Sequence, residues 1–286
     1  MKILITGAGG FVAGATINYC ESINDEVVAL TRVELDIANR EAVLAILAKE
    51  NPDSVINCAA WTDVDGCESD RDKNYAANAF GVENLALGCR QVRANFVTIS
   101  TDYVFDGAKE GFYTQRDDPN PLSEYGKAKL KGEQLARMSL ARAIVVRTGW
   151  IFGANGRNFL SKVPQLVLAG KTVKAINDAY GTPTFAPDLA KRLRELAELD
   201  VPGIYHVTNS GNGTTYGDFA RKVVDIAAPS VDQNLIENVS FTDLKRPAPR
   251  PQNSKLRCLI SERFGLEPLP DWKTALSSYI AQITAA

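Results

Sequence analysis

The most constraining feature of the chain is an apolar run that breaks into glycine. Lys2-Ile3-Leu4-Ile5-Thr6 reads as a short strand and leads at once into Gly7-Ala8-Gly9-Gly10, after which a helical pattern spans Phe11–Ser22. Glycines let a chain turn tightly and let its backbone approach a pyrophosphate. The free N–H groups and the dipole at the start of the following helix favour that anion. A glycine cluster alone is weak, because many loops contain one. Between a first strand and a first helix it has the context that a dinucleotide-binding turn requires. The spacing is Gly-x-x-Gly, with Ala13 at the place of a third glycine.

The rhythm that follows extends this unit. Candidate strands are Glu26–Leu30, Ser54–Asn57, Asn95–Ser100 and Ile144–Arg147, and candidate helices are Arg40–Lys49, Lys73–Gln91 and Ser123–Met138. Strands alternating with helices predict a Rossmann-type, doubly wound parallel sheet covered on both faces, an α/β fold. After Trp150 turn residues become frequent, with Gly153, Gly156, Gly170, Gly181, Pro183 and Pro187. We expect residues 1–150 to form the nucleotide-binding unit and 151–286 a smaller α/β substrate unit, with a soft boundary that the chain can cross again. Helices are expected near Pro187–Leu199, Thr215–Ala227 and Trp272–Ile283. The stretch Arg246-Pro247-Ala248-Pro249-Arg250-Pro251 reads equally as an interdomain linker or as an ordered loop stiffened by proline.

Composition narrows the function classes. The 286 residues carry 32 basic and 34 acidic side chains, a formal net charge of -2, which gives no reason to expect a nucleic-acid or membrane-surface partner. No apolar run approaches the roughly 20 residues that span a bilayer, and no cleavable leader is visible, so a cytoplasmic protein is expected. Cys20, Cys58, Cys67, Cys89 and Cys258 are scattered and never spaced C-x-x-C, which suits reduced thiols and no zinc site. The single histidine, His206, lies in an apolar strand-like run and reads as a packed residue. With one histidine, a His-based triad or a multi-His metal centre is hard to build.

The ends of the candidate strands carry the chemistry. After the second strand comes Arg32, where folds selective for NAD usually place an acid, and a guanidinium there suits a 2′-phosphate. Asp36 can face the adenine edge or start a helix. Asn57-Cys58-Ala59-Ala60 offers small residues over which a cofactor can lie. Tyr125 and Lys129 are four apart on a candidate helix and share one face. A phenol titrates near ~10, and an adjacent ammonium should lower that value and speed proton donation to a carbonyl. Thr101, at the end of the fourth strand, can hydrogen-bond the same carbonyl oxygen, and Tyr103 offers a ring and a hydroxyl to a sugar or base. Trp61 and Trp272 read as packing residues, with Trp61 beside Thr62.

These stretches together resemble the extended short-chain dehydrogenases, and within them the dTDP-4-dehydrorhamnose reductase family. The matching segments are Thr6–Gly10, Asn57–Ala60, Thr62–Asp65 with Glu68, Ser100–Gly107, Tyr125–Lys129, Arg147–Trp150, Asn158-Phe159, Gly181–Thr184, Asp188–Ala190 and Arg250–Leu256. The resemblance implies hydride transfer from NADPH, with NADH as an alternative donor, to C4 of a dTDP-4-keto-6-deoxy-L-hexose. It implies Tyr125 as proton donor, Lys129 as the residue that holds the nicotinamide ribose, and Thr101 on the reacting carbonyl. The implied cofactor contacts are Gly7, Gly10, Phe11, Val12, Arg32, Asp36, Ile37, Cys58, Ala59, Ala60, Thr62, Ser100, Tyr125 and Lys129. The implied substrate contacts are Thr101, Asp102, Tyr103, Trp150, Asn158, Arg250 and Asn253, with Arg250 suited to a diphosphate. A monomer or homodimer is expected.

The chain departs from the family pattern in places. Gly10-Phe11-Val12-Ala13 stands where Gly-Gln-Leu-Gly is common, Ala179 where glutamine is, and Tyr216 where tryptophan is. Gly14-Ala15-Thr16 lacks the glutamate that some relatives use in magnesium-linked dimers, so no metal is expected. Two other readings remain. A sugar-nucleotide dehydratase would need a glutamate after Thr101-Asp102, where Tyr103 stands, and an epimerase would trap NAD, which Arg32 does not favour. A non-catalytic NADP-binding partner of methionine adenosyltransferase would have no need of Thr101, Tyr125, Lys129, Tyr103 and Trp150 together.

Overall fold

In the computed structural model, which describes residues 1–229 and 235–285, the first half runs β1 (Lys2–Thr6), α1 (Phe11–Ser22), β2 (Glu26–Leu30), α2 (Arg40–Glu50), β3 (Ser54–Asn57), α3 (Val64–Ser69), α4 (Arg71–Tyr75), α5 (Gly81–Val92), β4 (Asn95–Thr101), α6 (Glu124–Ser139) and β5 (Ile144–Thr148). The second half runs β6 (Ile151–Phe152), α7 (Phe159–Leu168), β7 (Val173–Ile176), β8 (Tyr180–Gly181), β9 (Thr184–Phe185), α8 (Ala186–Leu199), β10 (Gly203–His206), β11 (Thr214–Thr215), α9 (Tyr216–Ala227), β12 (Ile236–Val239) and α10 (Trp272–Ala285).

Six of the strands form one parallel sheet in the order β10-β5-β4-β3-β1-β2. Neighbouring side chains on a strand point to opposite faces, so a strand covered on both faces must be apolar throughout. In β1, Ile3 and Ile5 enter one core with Ala13 and Cys20 of α1 and Leu189 and Leu193 of α8. Leu4 enters the other core with Val43 and Leu47 of α2, Leu85 and Cys89 of α5 and Ala136 of α6. Ile56 and Val97 join the first core and Val55 and Phe96 the second, by the same alternation. This is the doubly wound parallel sheet that the strand–helix rhythm predicts. The strand order reverses beside β1, which opens a crevice at the carboxyl ends where such sheets bind ligands.

A second, smaller core lies under α7, β7, α9, β12 and α10 and is built on Phe152, Leu160, Val163, Val173, Phe219, Val223, Trp272 and Tyr279. Trp272 is therefore a packing residue. The chain leaves the large sheet after β5 and comes back: α8 packs on α1, and β10 pairs with β5 from Gly203↔Ile144 to His206↔Arg147.

Three local features differ from the sequence pattern. The continuous helix expected over Lys73–Gln91 is broken: α4 ends at Tyr75, a π-turn spans Ala76–Phe80, and α5 begins at Gly81. Two buried asparagines there need partners. Asn78 receives the Trp61 N–H at 3.1 Å and donates to the Trp61 carbonyl at 2.9 Å and to Asn74 Oδ1 at 2.8 Å. The widened turn presses the Asn78 carbonyl on Gly132 of α6, where a Cβ would stand 2.3 Å from it. Helix α7 forms although Pro164 lies inside it, because its apolar face fills the smaller core. Helix α3 is six residues long, too short to show periodicity, and is started by the Asp63 cap.

Candidate active site

The fourth strand delivers Thr101 to the carboxyl edge of the sheet, and a short 3-10 turn, Asp102–Val104, follows. Helix α6 begins opposite. Its first turn is fixed from several sides: Ser123 Oγ receives the Gly126 N–H, Glu68 Oε1 receives the Glu124 N–H at 2.8 Å, and Asn74 donates to the Glu124 carbonyl at 2.8 Å. Gly126 lets the helix touch the strand end, since a Cβ there would lie 2.3 Å from the Tyr103 carbonyl oxygen. Tyr125 is thereby held beside Thr101, whose hydroxyl acts on the phenol, and edge-on to Tyr103 with ring centres 6.0 Å apart.

Lys129 is buried one turn further on and donates to the Ile99 carbonyl at 2.6 Å. Burial brings its ammonium down to about 8, an effect the Glu133 carboxylate partly opposes. Glu133, one more turn along α6, receives Ser100 Oγ at 2.5 Å and a two-pronged contact from Arg147 at 2.9 and 2.6 Å, all buried. Tyr125 runs against expectation. Its phenol is pushed up rather than down, first by burial and then by the Asp102 charge, against the Thr101 hydrogen bond, which lowers it. A phenol held protonated at neutral pH is nevertheless the proton-loaded form that a reduction needs.

Asp102 is strained electrostatically. It is only 3% exposed, and burial raises its carboxyl to about 6 although Ser254 and Thr101 hold it down. Oδ1 receives the Thr101 hydroxyl at 3.1 Å, while Oδ2 is buried without a well-formed hydrogen bond among the described residues. Gly149 makes room for it, because a Cβ there would stand 2.4 Å from the carboxyl group. Ser254 also receives the Trp150 indole N–H at 3.2 Å. Trp150 adopts a left-handed backbone with φ of 50° and stacks on Tyr216 with ring centres 3.9 Å apart.

The expected cofactor positions gather at the carboxyl ends of β1, β2 and β3. One cavity of about 260 Å³ is lined by Gly7, Gly10, Arg32, Asp36, Ile37, Cys58, Ala59 and Ala60. Gly7 has φ of 73°, and a Cβ would meet the Ala59 backbone at 2.8 Å, so the turn and the end of β3 touch only through glycine. This glycine cradle and the open N-terminus of α1, where Phe11 and Val12 lie, fit a dinucleotide diphosphate. Arg32 is largely exposed and pairs loosely with Asp36 at 3.7 Å, while Asp36 also receives the Ala38 N–H. Thr62 is exposed and does not line this cavity, and Trp61 does.

The substrate-side candidates divide. Trp150 and Asn158 line a second cavity of about 380 Å³. Asn158 spends its side chain on capping α7 and on the Ile151 carbonyl. Asn253 is buried and donates to the Lys109 and Gly111 carbonyls, so its amide holds a loop. Arg250 forks onto Asp65 at 3.1 and 3.0 Å and reaches the Ala248 carbonyl. Asp65 also receives the Ala248 N–H at 3.0 Å. The proline stretch is therefore an ordered strap pinned to α3, and Arg250 is already neutralised. His206 is buried, contacts the Tyr113 carbonyl through Nδ1 at 3.2 Å, and burial lowers it to about 3, so it is a neutral packed residue. Ser254 and Arg246 lie in stretches that the sequence marks, yet nothing in it singled them out as side chains, and the Asn74–Asn78 pair carried no signal at all.

A doubly wound sheet with a glycine turn, a strand-end threonine and a Tyr-x-x-x-Lys helix defines an extended short-chain dehydrogenase/reductase. The family model described as RmlD substrate binding domain matches residues 1–285. A dTDP-4-dehydrorhamnose reductase of Mycolicibacterium smegmatis is 36% identical over 288 residues, covering 100% of this chain and 86% of that one. The solved dTDP-4-dehydrorhamnose reductase of Clostridium acetobutylicum superposes with a TM-score of 0.92 at 36% identity, covering 99% of this chain and 100% of that one. The one from Bacillus anthracis, in complex with NADP, has a TM-score of 0.92 at 30% identity over 98% of this chain and 99% of that one. The chain belongs to the dTDP-4-dehydrorhamnose reductase family of oxidoreductases.

Proposed function

We propose that the protein reduces the 4-keto group of a dTDP-4-keto-6-deoxy-L-hexose with NADPH, NADH being the weaker donor. The observation that carries this reading is the Thr101–Tyr125 contact at the carboxyl end of β4, with Lys129 buried one turn further along the same helix. Residues 1–150 with the returning segment serve the cofactor, and most of 151–286 serves the sugar nucleotide.

Gly7, Phe11 and Val12 would hold the diphosphate on backbone N–H groups, with Gly10, whose N–H closes the turn on the Gly7 carbonyl, allowing its close approach. Arg32 would meet the 2′-phosphate, and Asp36, Ile37, Cys58, Ala59 and Ala60 the adenosine side, with Thr62 outside the cavity. Bound there, the nicotinamide supplies the hydride that adds to C4. Lys129 would hold the ribose, and Ser100, whose hydroxyl is committed to Glu133, would support the strand edge there. Thr101 donates a hydrogen bond to the keto oxygen. Tyr125 transfers its phenolic proton to that oxygen as it becomes an alkoxide, and Lys129 stabilises the phenolate left behind. Asp102, Tyr103, Trp150, Asn158, Arg250 and Asn253 shape the sugar pocket, several of them through the loops they hold. A monomer or homodimer suffices for this chemistry.

The test is NADPH oxidation followed at its absorbance with dTDP-4-keto-6-deoxy sugars of both C5 configurations. Turnover should need the ketosugar, and Tyr125→Phe should cut kcat at least about a hundredfold, in line with general-acid loss. Full turnover by Tyr125→Phe would end this mechanism.

A further inference from the structure

Two arginines approach the Tyr103 and Trp150 side of the site, and they are in opposite states. Arg250 is locked by Asp65 and the Ala248 carbonyl, so its fork cannot also grip a ligand oxygen pair without breaking the strap. Arg246, four residues earlier, is exposed and has no hydrogen bond or ion pair among the described residues. It lines the cavity of about 380 Å³ whose walls include Trp150, Phe159, Ile176, Tyr216 and Leu244. Its charge is felt at Tyr216, which shares the cavity wall with it, and also at Tyr103 and at Asp65, the carboxylate that Arg250 holds. The cavity's other cation, Lys174, is engaged with Glu237 at 3.5 Å.

An apolar slot with aromatic walls and an unpaired guanidinium at its rim suits an anion attached to a flat ring. We propose that Arg246, and not Arg250, binds the diphosphate of the nucleotide sugar, and that the slot seats the pyrimidine ring. The assignment rests on the nucleotide-sugar reading above and names its specificity residue. Arg250 is a positioning residue that keeps the strap, and with it Arg246, over the slot. A planar fork meets two phosphate oxygens at once, so its loss weakens ligand binding without touching the proton and hydride steps.

The experiment measures dTDP binding by calorimetry, and ketosugar reduction, for wild type, Arg246→Ala and Lys245→Ala. Lys245 is the adjacent exposed cation and does not line the slot. Arg246→Ala should weaken dTDP binding and raise the ketosugar KM about tenfold, the size of one lost charge-assisted contact. Its kcat and its NADPH KM should stay within about twofold, and Lys245→Ala should match wild type. Equal dTDP affinity in wild type and Arg246→Ala overturns the assignment, as does a wild-type chain that binds no dTDP. If dTDP binds through Arg246 but no ketosugar is reduced, the subsite stands and the reductase reading falls.

Discussion

Replacing Asp102 by asparagine should make the protein more stable at neutral pH. The carboxyl is raised from 3.8 to about 6 by burial, so its ionised form is disfavoured in the folded chain. A shift of roughly two units corresponds to about 3 kcal/mol. The asparagine amide keeps the shape, still accepts from Thr101, and leaves an N–H short of a partner, which costs about 1 kcal/mol. The expected net gain is therefore about 2 kcal/mol near pH 7.5. The sign follows from proton binding. The folded state holds this proton more tightly than the unfolded state, so between about pH 4 and 6 the folded form gains relative stability as pH falls. By about pH 4.5 the wild-type carboxyl is largely protonated in the fold, and the advantage of Asp102→Asn should shrink to near zero. Urea unfolding of both proteins at the two pH values, with m checked for constancy, measures this directly. A variant that is less stable than wild type by the same amount at both pH values would show that the buried carboxylate is not under electrostatic strain. Because Asp102 borders Thr101, the stabilised variant should also turn over more slowly, the usual exchange of stability for a working site.

Two other outcomes follow from the ion pairs. Arg147→Met strands the Glu133 carboxylate in the interior and should cost about 3–5 kcal/mol, whereas Glu133→Leu combined with Arg147→Met should recover most of it; thermal unfolding of wild type and the two variants decides, and a single-variant loss under about 1 kcal/mol would contradict the buried-pair account. Arg32→Ala should raise the NADPH KM about tenfold and leave the NADH KM nearly unchanged, because among the described residues Arg32 is held only by Asp36, at 3.7 Å, and can meet a phosphate; steady-state kinetics with both donors checks it, and equal effects would remove Arg32 from the 2′-phosphate site.

Much of the large sheet was legible because its signals are local. The boundaries of β1, α1, β2 and β3 follow apolar alternation and glycine punctuation, and the structure places them at the expected residues. The break at Ala76–Phe80 was not legible, since it depends on Trp61 and Gly132, which lie far away along the chain. In the candidate site, Thr101, Tyr125 and Lys129 could be found from spacing on predicted elements. The pairing of Arg250 with Asp65 could not, because 185 residues separate them. Nor could the upward push on Tyr125, which comes from burial and from a neighbouring carboxylate that a helical pattern does not reveal.

The return of β10 to the large sheet has a consequence for biogenesis. Until the segment ending at His206 is made, β5 is an open edge whose unpaired backbone groups can add another strand, and the sheet face of Val146 lacks the cover of Leu189 and Leu193. During synthesis the nucleotide-binding half cannot close as a unit on its own. A ribosome pausing near the middle of the chain would expose an adhesive strand, and cutting the protein at residue 150 would yield an aggregation-prone fragment in place of a free-standing cofactor module.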